Sequence, residues 1–256
     1  MGCIKREAEI TLIREGADIL SRMHGQLARE IKPGITTQWL DTLAEAFIRD
    51  HGAVPSFKGY EGFPATLCTS VNECVVHGLP SGYVLQEGDV ASIDCGVFYK
   101  GFHSDAAFTY PVGVVRSALM ELLRVTRSAL YRGIDAAKAG NRVGDVGHAI
   151  QHYVQRHGYS VVRELVGHGV GRQLHEAPQV PNYGSKGHGA RLQEGMVLAI
   201  EPMVNLGKRH VVSDKDGQFK TLDKQAAAHF EHTILVSAER AELLTTYKYV
   251  EEVLKF

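Results

Sequence analysis

Four carboxylates and a histidine are the residues of this 256-residue chain whose types and spacing could do chemistry. Asp94 and Asp105 are eleven residues apart, a separation that lets a hairpin bring both onto one face, and Glu201 and Glu231 follow in the second half. Three of them sit at the end of an apolar run: Ser92-Ile93-Asp94, Ala199-Ile200-Glu201 and Phe230-Glu231-His232. Acids in such places repel one another in a low dielectric unless a cation joins them. No Lys or Arg flanks them closely, whereas Gly167-His168-Gly169 offers an imidazole on a loop thin enough for close approach. Four carboxylates and one imidazole form an oxygen-rich set suited to a pair of divalent first-row ions, with bridging carboxylates between them. The plainer reading, that each acid is a solvated strand end, stands for any one of them alone. His175 and His77, in Leu174-His175-Glu176-Ala177-Pro178 and Val76-His77-Gly78, are further candidates that could equally be loop histidines.

The elements that must position these residues repeat. Residues 85–94 (LQEGDVASID) align with residues 192–201 (LQEGMVLAIE) at an offset of 107, with six identities and a carboxylate closing each copy. Residues 34–52 align with 140–158 at an offset of 106, both ending in His-Gly. Leu40, Leu43, Ala44 and Phe47 fall at i, i+3, i+4 and i+7, and Val146, Ile150, Tyr153 and Val154 at i, i+4, i+7 and i+8, so each copy holds an amphipathic helix closed by Gly. A longer helix precedes each: the stripe Ile10, Ile13, Ala17, Leu20, Met23, Leu27, stopped at Pro33-Gly34, and the stripe Leu119, Leu122, Leu123, Leu130. Short apolar strands follow at 90–93 and 106–110, then at 197–200 and 231–236. The pattern of helix, helix and strands, twice over, predicts an α+β fold: a pseudo-two-fold, curved, mainly antiparallel sheet backed by four helices. Residues 1–256 read as a single catalytic domain with halves of about 1–112 and 113–256, because the halves share the sheet.

Composition excludes several classes of function. Lys and Arg total 28 against 29 Asp and Glu, so neither a nucleic-acid-binding basic face nor an acidic disordered tail is implied. No apolar run approaches a membrane span, and the start Met1-Gly2-Cys3-Ile4-Lys5-Arg6 lacks the apolar stretch of a signal peptide. Cysteines at 3, 68, 74 and 95 have neither zinc-ribbon nor disulfide-scaffold spacing, which suits a reducing cytoplasm. Competing signatures fail. His175-Glu176-Ala177-Pro178-Gln179 lacks the second His of HExxH and contains Pro; Ala190 and Arg191 replace the Lys and Ser/Thr of a P-loop; Gly167-His168-Gly169-Val170-Gly171 misses the dinucleotide spacing; and there is no GxSxG elbow. His24, His51, His148, His152 and His157 lie on helices or their ends and read as surface or packing residues.

Taken together, the segments from Cys68 to His77-Gly78, Ser92-Ile93-Asp94, Ser104-Asp105, Gly167-His168-Gly169-Val170-Gly171, Leu174 to Pro178, Ile200-Glu201-Pro202-Met203 and Phe230-Glu231-His232-Thr233 resemble the type I methionine aminopeptidases, in order over nearly the whole chain. The resemblance implies the pita-bread fold. It also implies that Asp94 chelates one metal, that His168 and Glu201 serve the other, and that Asp105 and Glu231 bridge both. The implied cofactor is two divalent ions, of Co, Mn, Fe, Zn or Ni. A hydroxide bridging such ions is a nucleophile at neutral pH, and the ions stabilise the oxyanion formed at the first peptide carbonyl. The resemblance further implies that Glu201 shuttles the proton, that His175 contacts the scissile amide and that His77 meets the nitrogen of the following residue. Tyr60, Phe63, Cys68 and Leu174 match positions lining the methionine pocket, with Phe57 a weaker candidate and ordinary core packing the plain alternative. Implied substrates are nascent chains with a small second residue, met near the ribosome in the cytoplasm by a monomer with no specific nucleic-acid or membrane partner. The chain's own Met1-Gly2 fits that rule.

Three residues depart from the family's pattern. Gln218 stands where Trp is frequent, Leu174 where Phe is common, and His229 in place of a usual Gln; they bear on the tightness of the methionine pocket rather than on the metal chemistry. The spacing of thirty between Glu201 and Glu231 leaves no room for the long type II insertion. Two other groups of proteins share parts of this pattern. Prolidases and Xaa-Pro aminopeptidases resemble the chain around the metal ligands but carry a large extra N-terminal domain, whereas here the first repeat helix begins almost at once. Non-catalytic binding modules of this fold typically lose metal ligands, and all five are present.

Overall fold

A computed structural model describes residues 4–254; Cys3 and the Met1-Gly2 start lie outside the described residues. The four long helices form where the apolar stripes place them: α1 (Glu7–Glu30), α2 (Thr37–Asp50), α3 (Ser117–Ala136) and α4 (Val143–Arg156). The stripe of α1 is buried throughout, from Ile10 to Leu27, as is that of α3. Thr36 caps α2 by accepting the Trp39 N–H at 3.2 Å. The repeated His-Gly has a capping role: the Nδ1 atoms of His51 and His157 donate to the carbonyls four residues back, of Phe47 and Tyr153, at 2.7 and 2.9 Å. Such bonds satisfy acceptors that a helix end would otherwise leave bare. A fifth, short helix, α5 (Lys248–Glu251), was not anticipated; it packs on α1.

Every strand ladder is antiparallel. Among the described residues the expected single sheet divides into four. One joins Val54–Pro55, Cys68–Val71, Val90–Tyr99 and Phe102–Pro111; another joins Gly167–Gly169, Glu176–Val180, Val197–Ile200, His232–Leu235 and Glu242–Leu243; two three-stranded sheets complete the set. Irregular registers at Gly167/Gly169 and Phe219/Lys220 interrupt the ladders. The hairpin Val90–Tyr99/Phe102–Pro111 is twice as long as its apolar runs suggested. Its two-residue turn, Lys100-Gly101, has φ of 47° and 93°, the geometry whose twist matches that of the flanking strands.

The two large sheets are stitched at one seam. The Thr233 hydroxyl donates to the Asp105 carbonyl (2.7 Å) and accepts the Asp105 N–H (2.9 Å), and the Glu231 N–H reaches the Ala107 carbonyl at 2.9 Å. Beneath it the buried Tyr247 hydroxyl donates to the Ala107 carbonyl at 2.7 Å and accepts the Glu231 N–H at 2.9 Å. The main core lies between sheets and helices, with Phe108, Phe230 and Tyr247 in edge-on contact behind the seam.

Candidate active site

Strand registers bring the acids together. Asp94 lies opposite Ala107 and Asp105 opposite Gly96, so the two aspartates are diagonal neighbours on one face of the hairpin. In the second sheet Ile200 lies opposite His232, and continuing that register by one residue sets Glu201 against Glu231. His168 lies opposite Ala199, two residues from Glu201 and on its face. The thin loop is a necessity: a Cβ on Gly167 would stand 2.5 Å from the Ala199 carbonyl oxygen, and one on Gly169 equally close to that of Ala177.

Ligand atoms of Asp105, His168 and Glu231 lie within 4.8 Å of one another. His168 Nε2 is 3.5 Å from Glu201 Oε1 and 4.0 Å from Asp105 Oδ2. Its Nδ1 donates to the Gly169 carbonyl at 2.9 Å, which leaves the Nε2 lone pair facing the acids. Among the described residues, the basic side chains that reach Asp105, Glu201 or Glu231 within 4.0 Å are imidazoles, His168 and His229. Burial drives Asp94 up to about 7, with His229 opposing and Glu201 adding to the shift, and burial drives Glu201 up to about 8. Asp105 and Glu231 are pushed well above the carboxylate range by burial and then by the neighbouring acids. Burial likewise lowers His168 to about 4, so its ring is neutral and free to ligate. Asp94 Oδ1, Asp105 Oδ1, Glu231 Oε1 and His229 Nε2 are buried with no hydrogen-bond partner. Bare oxygens converging with a lone pair, and no Lys or Arg to balance them, fit divalent cations.

The cluster forms the floor of a cleft of about 880 Å³. On one side Phe57, Cys68 and Leu174 are buried together, with Tyr60 and Phe63 packed against them. Cys68 lies opposite Asp94, so this apolar pocket adjoins the acids. Phe57, the weaker candidate from sequence, is as much part of it as the others. Across the cleft rim stand His77 and His175, both solvent-accessible. The Tyr60 hydroxyl and His175 Nδ1 share a hydrogen bond of 2.9 Å, and the His175 ring stands edge-on to His168 at 4.4 Å. His77 adopts φ of 60° and rests edge-on against Phe219.

The loop bearing His175 is anchored by residues that sequence reasoning missed. Lys5 Nζ lies 2.6 Å from Glu176 Oε2, its side chain only 1% exposed, and Glu176 Oε1 accepts the Gln173 N–H. Arg172 pairs with Glu9 of α1. No local pattern signals a pair 171 residues apart.

The departures from the family pattern fall in three places. Leu174 does line the apolar pocket, but Gln218 turns away to Asp214 and the Leu79 N–H. His229, expected to bear on the methionine pocket, stands among the acids instead, because positions 229 and 231 share a face of an extended chain while Phe230 points into the core. That two-residue alternation was the available signal.

Comparison with known proteins follows the same lines. The sequence profile of metallopeptidase family M24 matches residues 11–238. The chain is 50% identical over 242 residues to methionine aminopeptidase 1 of Bacillus subtilis, covering 94% of this chain and 98% of that one. It is similar to the solved structure of a methionine aminopeptidase from Thermotoga maritima, with TM-score 0.94 and 45% identity over 96% of this chain and 100% of the other. A prolidase from Pyrococcus furiosus shares the fold at TM-score 0.79 and 25% identity, over 95% of this chain and 65% of the prolidase.

Proposed function

Because the chain belongs to metallopeptidase family M24, and to the methionine aminopeptidases within it, we propose that its cleft removes the initiator methionine from proteins with a small second residue, using two divalent ions. It is an aminopeptidase of the metal-dependent class. The observation that carries the finer reading is the adjacency of an apolar, polarisable pocket to a floor of bare acid oxygens, joined at the Cys68–Asp94 pair. On this reading Asp94 would hold one ion, His168 and Glu201 the other, and Asp105 and Glu231 both. Such ions supply a water nucleophilic at neutral pH and a positive pole for the carbonyl oxygen.

The chain's own residues do the rest. Tyr60, Phe63, Cys68 and Leu174, with Phe57 beside them, take up the methionine side chain, whose thioether suits such a pocket. That places the first carbonyl over the acid floor. Glu201 takes the proton of the attacking water and passes it to the leaving amine. His175 is oriented by the Tyr60 hydroxyl at Nδ1, which turns Nε2 toward the scissile amide. His77 meets the next nitrogen from the rim. The two rings crowd the second side chain, and a bulky one would push the carbonyl out of attacking range. The seam at Asp105, Thr233 and Tyr247 supports one catalytic domain spanning both halves. Among the described residues no helix is long and apolar enough to cross a membrane. We read the protein as a cytoplasmic monomer that meets nascent chains near the ribosome.

Competition between Met-Ala-Ser and Met-Leu-Ser, with Co, Mn, Fe, Zn or Ni added in turn, tests the reading. Met-Ala-Ser should be strongly favoured in kcat/KM, and its formylated form should resist cleavage because a blocked amine cannot anchor. Comparable values for the two tripeptides would refute the second-residue selectivity. Preferential hydrolysis of Xaa-Pro peptides would replace the reading with a prolidase.

A further inference from the structure

We propose that His229 is a metal ligand: a second imidazole at the centre, on the side of Glu201 opposite His168. The inference rests on reading the acid cluster as a metal centre and adds a donor to it.

Distances carry it first. His168 Nε2 lies 3.5 Å from Glu201 Oε1 and 4.0 Å from Asp105 Oδ2; His229 Nε2 lies 3.6 Å from Glu201 Oε2 and 4.0 Å from Glu231 Oε2. The two rings bear the same relation to the carboxylates, and Glu201 presents one oxygen to each. These separations exceed a hydrogen bond. They suit donors that share a cation, since ligand atoms about 2.0–2.2 Å from an ion stand roughly 3–4 Å from one another.

Placement is the second argument. His229 ends the strand Ala227–His229 opposite Met203, two residues beyond Glu201. Its backbone is pinned on both sides by one buried hydroxyl: Thr109 Oγ1 donates to the His229 carbonyl at 2.7 Å and accepts its N–H at 2.9 Å. The residue is 1% exposed, yet Nε2 has no hydrogen-bond partner. A rigidly held, dry imidazole with a bare nitrogen turned toward two carboxylates is costly unless something fills the gap. The Gln usual at this position in the family offers no imidazole.

The chemical consequence is selectivity. Nitrogen donors favour later first-row ions, so a second imidazole strengthens binding of Co²⁺, Ni²⁺ and Zn²⁺ more than of Mn²⁺.

The decisive measurement is X-ray absorption at the cobalt edge on the full chain loaded with two equivalents of Co²⁺, where outer-shell scattering counts imidazoles. One imidazole per ion on average is expected; one per two ions overturns the proposal while leaving the metal centre standing. Failure of the wild-type protein to bind stoichiometric Co²⁺ overturns the metal-centre reading itself. In His229→Gln, which restores the usual family residue, and in His229→Asn, calorimetric titration should show Co²⁺ affinity falling on the order of tenfold, with a smaller loss for Mn²⁺. Unchanged affinities in a variant that melts like wild type would equally refute ligation by His229.

Discussion

Replacing Lys5 by Met tests whether the buried ion pair behind the catalytic loop sets both stability and turnover. The Lys5 ammonium and the Glu176 carboxylate are 2.6 Å apart, with side chains 1% and 11% exposed, so water replaces neither partner's contact well. Met preserves the aliphatic stem, which passes so close to Gly171 that a Cβ there would meet Lys5 Cε at 2.1 Å. What is lost is the charge, leaving the Glu176 carboxylate in a dry place with the Gln173 N–H at 3.1 Å. Breaking such a pair from one side costs about 3–5 kcal/mol. At roughly 2–4 °C per kcal/mol for a chain of this size, the melting point of the metal-loaded enzyme should fall by roughly 6–20 °C. The double variant Lys5→Met/Glu176→Leu should recover most of the loss, because an apolar pair strands no charge. Since His175 precedes Glu176, kcat on Met-Ala-Ser should fall in the single variant while the metal dissociation constant holds. A single variant that melts within about 2 °C of wild type, or a double variant no more stable than the single, would refute the reasoning.

Asp105→Ala and Glu231→Ala should each abolish turnover without lowering the melting point of the metal-free chain at pH 8. A carboxylate whose pKa the fold raises destabilises the fold above its ordinary pKa, and removing it relieves that cost; the variants should lose the melting gain that metal gives wild type, and wild-type-like activity in either would remove it from the site. His175→Ala should lower kcat far more than metal affinity, as kinetics and calorimetry will show; loss of an ion with the activity would make it a ligand. Stability should also fall in acid through His24, whose buried ring is held down to about 4 by desolvation. Between pH 6.5 and 4 the unfolded chain gains a proton that the folded one refuses, so about 3 kcal/mol is lost over that window as pH drops. In His24→Gln, denaturant melts should show a shallower slope there, and an unchanged slope would show that His24 does not titrate on unfolding.

How much of this was legible in the sequence depended on the range of the interaction. Apolar stripes at helical period located α1 to α4, because each records burial along a single element. The repeat brought out Asp94 and Glu201 together, and the spacing of Asp94 from Asp105 matched a hairpin. The end of that hairpin was not legible: residues 94–99 carry Asp, Gly and aromatic side chains rather than an apolar run, and only pairing with Phe102–Pro111 extends the strand. The place of His229 among the acids was not legible, since its neighbours in sequence are apolar and the strand that faces it comes from Met203–Asn205. Lys5 and Tyr247 gave no signal, as Lys5 pairs with Glu176, 171 residues on, and Tyr247 ties Glu231 to Ala107, 140 residues before it.

The Tyr247 hydroxyl has a bearing on the order in which the molecule comes into being. It reaches back to Ala107 across 140 residues of chain, and at about 5–20 residues per second that stretch takes roughly 7–28 s to synthesise. Through that interval the first hairpin can form by itself, since its partner strands adjoin in sequence. It then presents Asp94 and Asp105 alone, two like charges without Glu201, Glu231 or either imidazole. An emerging chain is therefore a poor competitor for metal and has no cleft to close on a peptide. Competence arrives late and all at once, when Tyr247 docks and the acids of both halves face each other.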